Sequence, residues 1–182
     1  MTGPARSGSL LPLVTLDHPA IEIDLVYATD RNFTGQRLYA DNRARLVPEA
    51  ARALKCVAER LADQGLRLVV LDAYRPVSVQ RRLWTVRPDP EFVADPAVGS
   101  DHSRGVAVDV TLSDGQTQLD MGTAFDAAVP QSHHDRSDIS AEAQANRAIL
   151  RSAMRAGGFD ENPFEWWHYA LAGARGFPLL DL

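Results

Sequence analysis

Three short segments of this 182-residue chain carry residue types that could do chemistry together. The first is His102-Ser103-Arg104-Gly105-Val106-Ala107-Val108-Asp109. His102 stands just before an apolar run, and Asp109 stands within it. A carboxylate buried in a strand needs a cation or several donors, because an unpaired one is costly. A metal would supply that charge, and His and Asp are ligands that zinc accepts. Gly105 allows the sharp turn that would fold His102 back towards Asp109. The second segment is Glu165-Trp166-Trp167-His168. It adds another imidazole and, three residues before it, a carboxylate able to act as a base. Together, His102, Asp109 and His168 make three ligands and leave the fourth position to water, with Glu165 to take a proton. The third segment is Asp72-Ala73-Tyr74-Arg75-Pro76. Arg75 precedes a proline, so its backbone is extended. A fixed guanidinium there suits the oxyanion of a tetrahedral intermediate, with Asp72 holding it.

Each segment alone has a plainer reading. Asp109 could pair with an arginine while His102 caps a turn. Glu165 could be the exposed residue of a Trp-rich core strand, and Asp72 with Arg75 a surface pair. The co-occurrence of the first two segments is what favours a metal. His133 and His134 are adjacent in a polar loop and are expected to be structural, and His18 is expected at the surface. Phe164, Trp166, Trp167 and Tyr169 are expected in the core. Cys56 is the sole cysteine. It is expected as a small buried residue on the apolar side of a helix rather than as a nucleophile.

The elements that must position these groups follow from hydrophobic period. Residues 21–28 alternate as a strand, and 32–37 with Gly35 form a turn. Residues 48–64 make the clearest helix, with Pro48 in its first turn and Ala50, Leu54, Val57, Ala58 and Leu61 as one stripe. Residues 66–71 read as a short strand, and a second short helix runs from Pro76 to about Trp84. After an irregular stretch, 106–112 form a strong strand. Its Val106, Val108, Val110 and Leu112 face one way, and Ala107, Asp109 and Thr111 the other. Residues 140–156 are a helix with Ala145, Ala148, Ile149 and Ala153 inward, ended by Gly157-Gly158. Glu165 and His168 would point to opposite faces of an ideal strand, so Glu165 must sit on a turn or bulge. The predicted fold class is α+β, a mainly antiparallel sheet flanked by helices.

Composition sets outer limits. The length suits one domain over 1–182, large enough to hold a core without disulfides; residues 1–9, rich in Gly, Ser and Pro, are expected to be mobile. The net charge of -5 argues against a nucleic-acid partner. Eighteen of the nineteen basic residues are arginine, but they are scattered. No apolar run is long enough to span a bilayer, so no membrane partner is expected. The early apolar stretch is broken by Pro12 and makes a poor signal peptide, so the expected location is cytoplasmic, or periplasmic had a leader been removed.

The ordered motifs resemble a known family. Residues 100–109 match the S-x-H-x-x-G-x-A-x-D pattern of zinc D-alanyl-D-alanine peptidases, and 165–168 match their E-x-W-H pattern. The closer likeness is to the VanX-type dipeptidases of peptidase family M15. Their D-A-Y-R-P, N-F-T-G and M-G-x-x-F-D…S-H-H segments stand at 72–76, 32–35, 121–126 and 132–134. The likeness runs from about residue 20 to 170. It implies a Hedgehog/DD-peptidase-like fold and one zinc held by His102, Asp109 and His168. It further implies Glu165 as base, Arg75 as transition-state stabiliser, and a small D,D-dipeptide as substrate. Substrate contacts are implied near Tyr27, Asp72, Ser100 and Asp126, with Asp126 suited by charge to the dipeptide's ammonium. One departure is Asp101, where the nearest relatives often carry Ser; its charge opposes a substrate carboxylate.

Overall fold

The computed structural model of the chain describes residues 12–180 and 182. The stretch 1–9, expected to be mobile, lies outside the described residues. In chain order the elements are β1 (Val14–Thr15), β2 (Ile21–Ile23), β3 (Arg45–Leu46), α1 (Pro48–Ala62), β4 (Arg67–Asp72), α2 (Val77–Val86), β5 (Ala107–Ser113), α3 (Ala141–Ala156), β6 (Phe159–Asn162) and β7 (Glu165–Leu171). The main sheet has the order β2-β4-β5-β7-β6. Only β2 and β4 run parallel; the other pairs are antiparallel. This is the expected α+β architecture.

The two faces of the sheet do different things. Leu68 and Val70 of β4, Val108, Val110 and Leu112 of β5 and Tyr169 of β7 join Leu54, Val57 and Leu61 of α1 and Leu150 and Met154 of α3 in one core. On the other face Val69 and Leu71 meet Val26 and Phe125, which come from loops. Asp109 shares that second face by strand parity. The helices therefore build the core, and loops enclose the chemistry.

Local sequence explains the elements. Pro48 occupies the first turn of α1, and Gly65 takes φ 75° just past its end. Ser140 caps α3, its Oγ accepting from the Ala143 N–H at 3.0 Å. Two expectations on helix faces are corrected. Cys56 is exposed; it lies ~200° around the helix from Leu54, on the solvent side. The buried face of α3 is Ala143, Asn146, Arg147, Leu150 and Met154; of the expected stripe, Ile149 and Ala153 are half-buried against the core, while Ala145 and Ala148 are exposed. The buried polar pair displaces the stripe because both side chains have backbone partners. Asn146 Nδ2 donates to Asp120 O at 2.8 Å, and Arg147 donates to the carbonyls of Met121, Gln131 and His133 at 2.7–2.9 Å. Phe164 is also exposed; it lies in the two-residue turn joining β6 to β7, while Trp166, Trp167 and Tyr169 are buried as expected. The strand read over 21–28 is shorter, ending at Ile23 before a 3-10 turn, Val26–Ala28.

Candidate active site

Strand register assembles the site. Asp109 in β5 pairs with His168 in β7 on one side and with Asp72 in β4 on the other. A β-bulge between Val70 and Asp72 allows the second pairing. Three adjacent strands thus carry Asp72, Asp109 and His168 side by side. His102 comes from a 3-10 turn, His102–Arg104, that ends on Gly105 at φ 69°. A side chain at Gly105 would strain that backbone, and its Cβ would lie 2.8 Å from Leu13 Cδ2. Gly105 therefore both turns the chain and admits its neighbours.

The ligating atoms converge. His168 Nδ1 is 3.0 Å from Asp109 Oδ1, His102 Nε2 is 3.2 Å from the same oxygen, and the two ring nitrogens are 3.1 Å apart. All three ligand atoms lie within 4.8 Å of one another. His102 Nδ1 lies 2.7 Å from the Ala73 carbonyl, which can only accept, so Nδ1 carries the proton and the Nε2 lone pair faces inward. Two imidazole nitrogens and a buried carboxylate aimed at one point suit a cation such as zinc. Burial opposes charge on His102 and on Asp109. Their mutual attraction outweighs it, raising the imidazole pKa and holding the carboxyl far below its ordinary range.

Glu165 opens β7. The β6–β7 register jumps from Glu161↔Tyr169 to Asn162↔Glu165, so Trp166, Trp167 and His168 bulge without partners on β6. That bulge brings Glu165 and His168 to the same cleft, as their spacing required. Glu165 is 7% exposed, and Asn162 Nδ2 donates to its Oε2 at 2.7 Å. Burial, then the charges of Asp109 and Asp126, push its carboxyl well above the usual carboxylate range.

Arg75 is fixed from all sides. Its Nε and Nη2 donate to Asp72 Oδ2 at 2.9 and 2.6 Å, and Nη1 donates to Gln80 Oε1 at 2.8 Å. Nη2 also reaches Asp109 Oδ2 at 3.5 Å. Asp72, grouped by sequence with the substrate contacts, lies behind Arg75 rather than on the cleft. It is fully buried, and its other oxygen accepts from the Tyr39 hydroxyl and the Ala73 N–H. The pair is buried, not the surface pair that spacing allowed.

The remaining predicted contacts line the same cavity of about 160 Å³, together with Arg75, His102, Asp109, Glu165 and His168. Tyr27 donates its hydroxyl to Asp126 Oδ2 at 2.7 Å. Burial pushes the Asp126 carboxyl up to about 7, with the Tyr27 hydroxyl working against the shift. Asp126 adopts φ 61°, a left-handed conformation uncommon outside glycine. Ser100 is buried and its Oγ accepts from the His102 N–H at 3.2 Å. Sequence reasoning missed Asn162, Gln80 and Tyr39, which orient Glu165, Arg75 and Asp72. Neutral amides and a phenol carry no spacing signal of their own. A larger hollow of about 520 Å³ shares no residue with the cleft; its Arg136, Arg151 and Arg155 pair with Asp138, Asp135 and Glu161.

Arg87 Nη1 donates to Asp126 O at 3.1 Å, and α3 braces the loop that carries Asp126. Arg147 binds three carbonyls of the loop on either side of it, at Met121, Gln131 and His133. Arg147→Met removes those donors and leaves buried acceptors unsatisfied, so we expect it to lower stability by about 3 kcal/mol. Denaturant titration reads the change; an unaltered midpoint would show that the loop holds itself.

The chain is similar to known proteins. Residues 8–179 match the family model Peptidase_M15, described as D-ala-D-ala dipeptidase. The D-alanyl-D-alanine dipeptidase of Escherichia coli (strain K12) is 43% identical over 163 residues, covering 89% of this chain and 84% of that protein. The D-alanyl-D-alanine dipeptidase of Enterococcus faecium is 35% identical, covering 81% and 84%. Among solved structures, the LdcB LD-carboxypeptidase superposes with a TM-score of 0.55 at 19% identity, covering 94% of this chain and 72% of that one; it shares the fold. With the family model spanning nearly its whole length, the chain belongs to peptidase family M15, the D-Ala-D-Ala dipeptidases.

Proposed function

We propose that the cleft hydrolyses the D-alanyl-D-alanine dipeptide to two D-alanines, with one zinc per chain held by His102, Asp109 and His168. The observation that carries this is the convergence of those ligand atoms within 4.8 Å beside a buried Glu165. The dipeptidase relatives supply the substrate. When bound, zinc supplies a Lewis acid that polarises the peptide carbonyl and makes a water acidic near neutral pH. Glu165 takes the proton of the attacking water and delivers it to the departing amine. Arg75, pinned by Asp72 and Gln80, meets the oxyanion without having to reorganise. Asp126, supported by Tyr27, receives the substrate's ammonium. Ser100 offers a hydroxyl to the other end of the dipeptide.

Cavity size and Asp126 favour a dipeptidase over a D,D-carboxypeptidase or L,D-endopeptidase acting on longer cell-wall peptides. About 160 Å³ is below the range for drug-sized ligands. A half-buried carboxylate in the wall is wasted on a blocked amine. Zinc-loaded protein is expected to turn over D-Ala-D-Ala at least ~100-fold faster than its N-acetyl form, since a lost charge pair leaves Asp126 uncompensated. Equal rates would transfer the assignment to longer peptides. Zinc uptake with no hydrolysis of either would make the chain a non-catalytic binding module.

A further inference from the structure

We infer that Arg175 recognises the free C-terminal carboxylate of the substrate, and so sets the preference for a true dipeptide. The inference rests on the dipeptidase reading above. A zwitterionic dipeptide needs a cation for its carboxylate, yet the cleft wall carries Glu91, Asp101, Asp109, Asp126 and Glu165. Its guanidinium groups are those of Arg75 and Arg175. Arg75 binds Asp72 and Gln80, has Asp109 beside it, and is already assigned to the oxyanion. Arg175 is exposed and has no carboxylate partner among the described residues. It also borders a second hollow with Asp101, Asn162 and His168, which Asp126 does not reach. Arg175 and Asp126 both line the cleft, and of the two only Arg175 also borders the second hollow, an arrangement that suits the two ends of a dipeptide.

The chain holds Arg175 there by strapping its segment to the loop that carries Ser100 and His102. Gly173, at φ 78°, opens a 3-10 turn, Ala174–Gly176. Arg104 Nη1 donates to Phe177 O, and the Leu180 N–H donates to Ser103 O at 2.8 Å. Tyr74 donates its hydroxyl to Leu180 O at 3.0 Å. Leu179 lies so close over Gly99 that a Cβ there would sit 2.9 Å from Leu179 Cδ2. The strap also answers the charge at Asp101. Arg104 Nε lies 3.5 Å from its Oδ1. Arg104 thereby offsets Asp101, and the guanidinium of Arg175 remains for the substrate.

The test compares D-alanyl-D-alanine with D-alanyl-D-alaninamide, which lacks the terminal negative charge. For zinc-loaded wild-type protein, kcat/KM should favour the acid. In Arg175→Met that acid-over-amide ratio should fall about tenfold, through KM for the acid, as expected for one lost charge-assisted contact at a rim. Arg175→Lys should keep part of the preference, since the charge remains without the planar fork. The exposed Arg81→Met serves as a control for net charge and should leave the ratio unchanged. An unchanged ratio in Arg175→Met, or an equal loss on both substrates, would overturn the assignment. Turnover of neither substrate by the wild type would overturn the dipeptidase reading and this one with it.

Discussion

Glu165→Gln is expected to lower turnover of D-alanyl-D-alanine by about 10³-fold while leaving zinc bound, the magnitude usual for a lost general base. The separation of the two effects follows from geometry. The three atoms that converge belong to His102, Asp109 and His168; Glu165 is held apart from them by Asn162, which donates to its Oε2. Glutamine is nearly isosteric but cannot accept the proton of an attacking water. Its side chain can keep the Asn162 contact, so the fold and the metal ligands should be undisturbed. Metal content by elemental analysis and single-turnover kinetics test this together. Loss of zinc alongside activity would make Glu165 a ligand, and full activity would remove it from the mechanism. Asn162→Ala should act in the same direction but more weakly, because it frees Glu165 without removing its carboxylate.

The geometry of the candidate site was largely legible in the sequence because its main strand is regular. Strict alternation over 106–112 fixed which face Asp109 takes, and register then put His168 beside it. Gly105 announced the turn that folds His102 back. Even the failure of an ideal strand to place Glu165 with His168 was informative, since it demanded the bulge that the β6–β7 register shows. What escaped was set by partners distant in sequence. Asp72 looked like a cleft residue until its oxygens were seen to be taken by Arg75, Tyr39 and the backbone. The inward face of α3 was hidden because Arg147 and Asn146 are buried by hydrogen bonds to a loop, which hydrophobic periodicity does not register. The two-residue strands β1 and β3, and β6 with its polar sequence, offer no period long enough to read.

Chelation should abolish hydrolysis and also lower the thermal midpoint, and the second effect is the more telling. Asp109 is 2% exposed and sits between two imidazoles whose nitrogens face one another at 3.1 Å. Without a cation, two lone pairs and a carboxylate would crowd one point. Arg75 offsets the carboxylate in part, at 3.5 Å from Oδ2. The metal-free chain therefore keeps a compensated site and should still fold. Zinc binds the folded site in preference to the unfolded chain, so at a thousandfold excess over Kd it adds about 4 kcal/mol. For a domain of this size that corresponds to a midpoint shift on the order of 10 °C. Melting curves with chelator, then with zinc restored, read the shift without reference to any substrate. Magnesium should not restore it, because a site with two imidazole nitrogens suits zinc over a hard, oxygen-seeking ion. His168→Ala should remove the response to zinc while Glu165→Gln retains it, which separates holding the metal from using it. A midpoint indifferent to chelation and to zinc would leave His102, Asp109 and His168 as a buried charge network and remove the basis for metal-dependent hydrolysis.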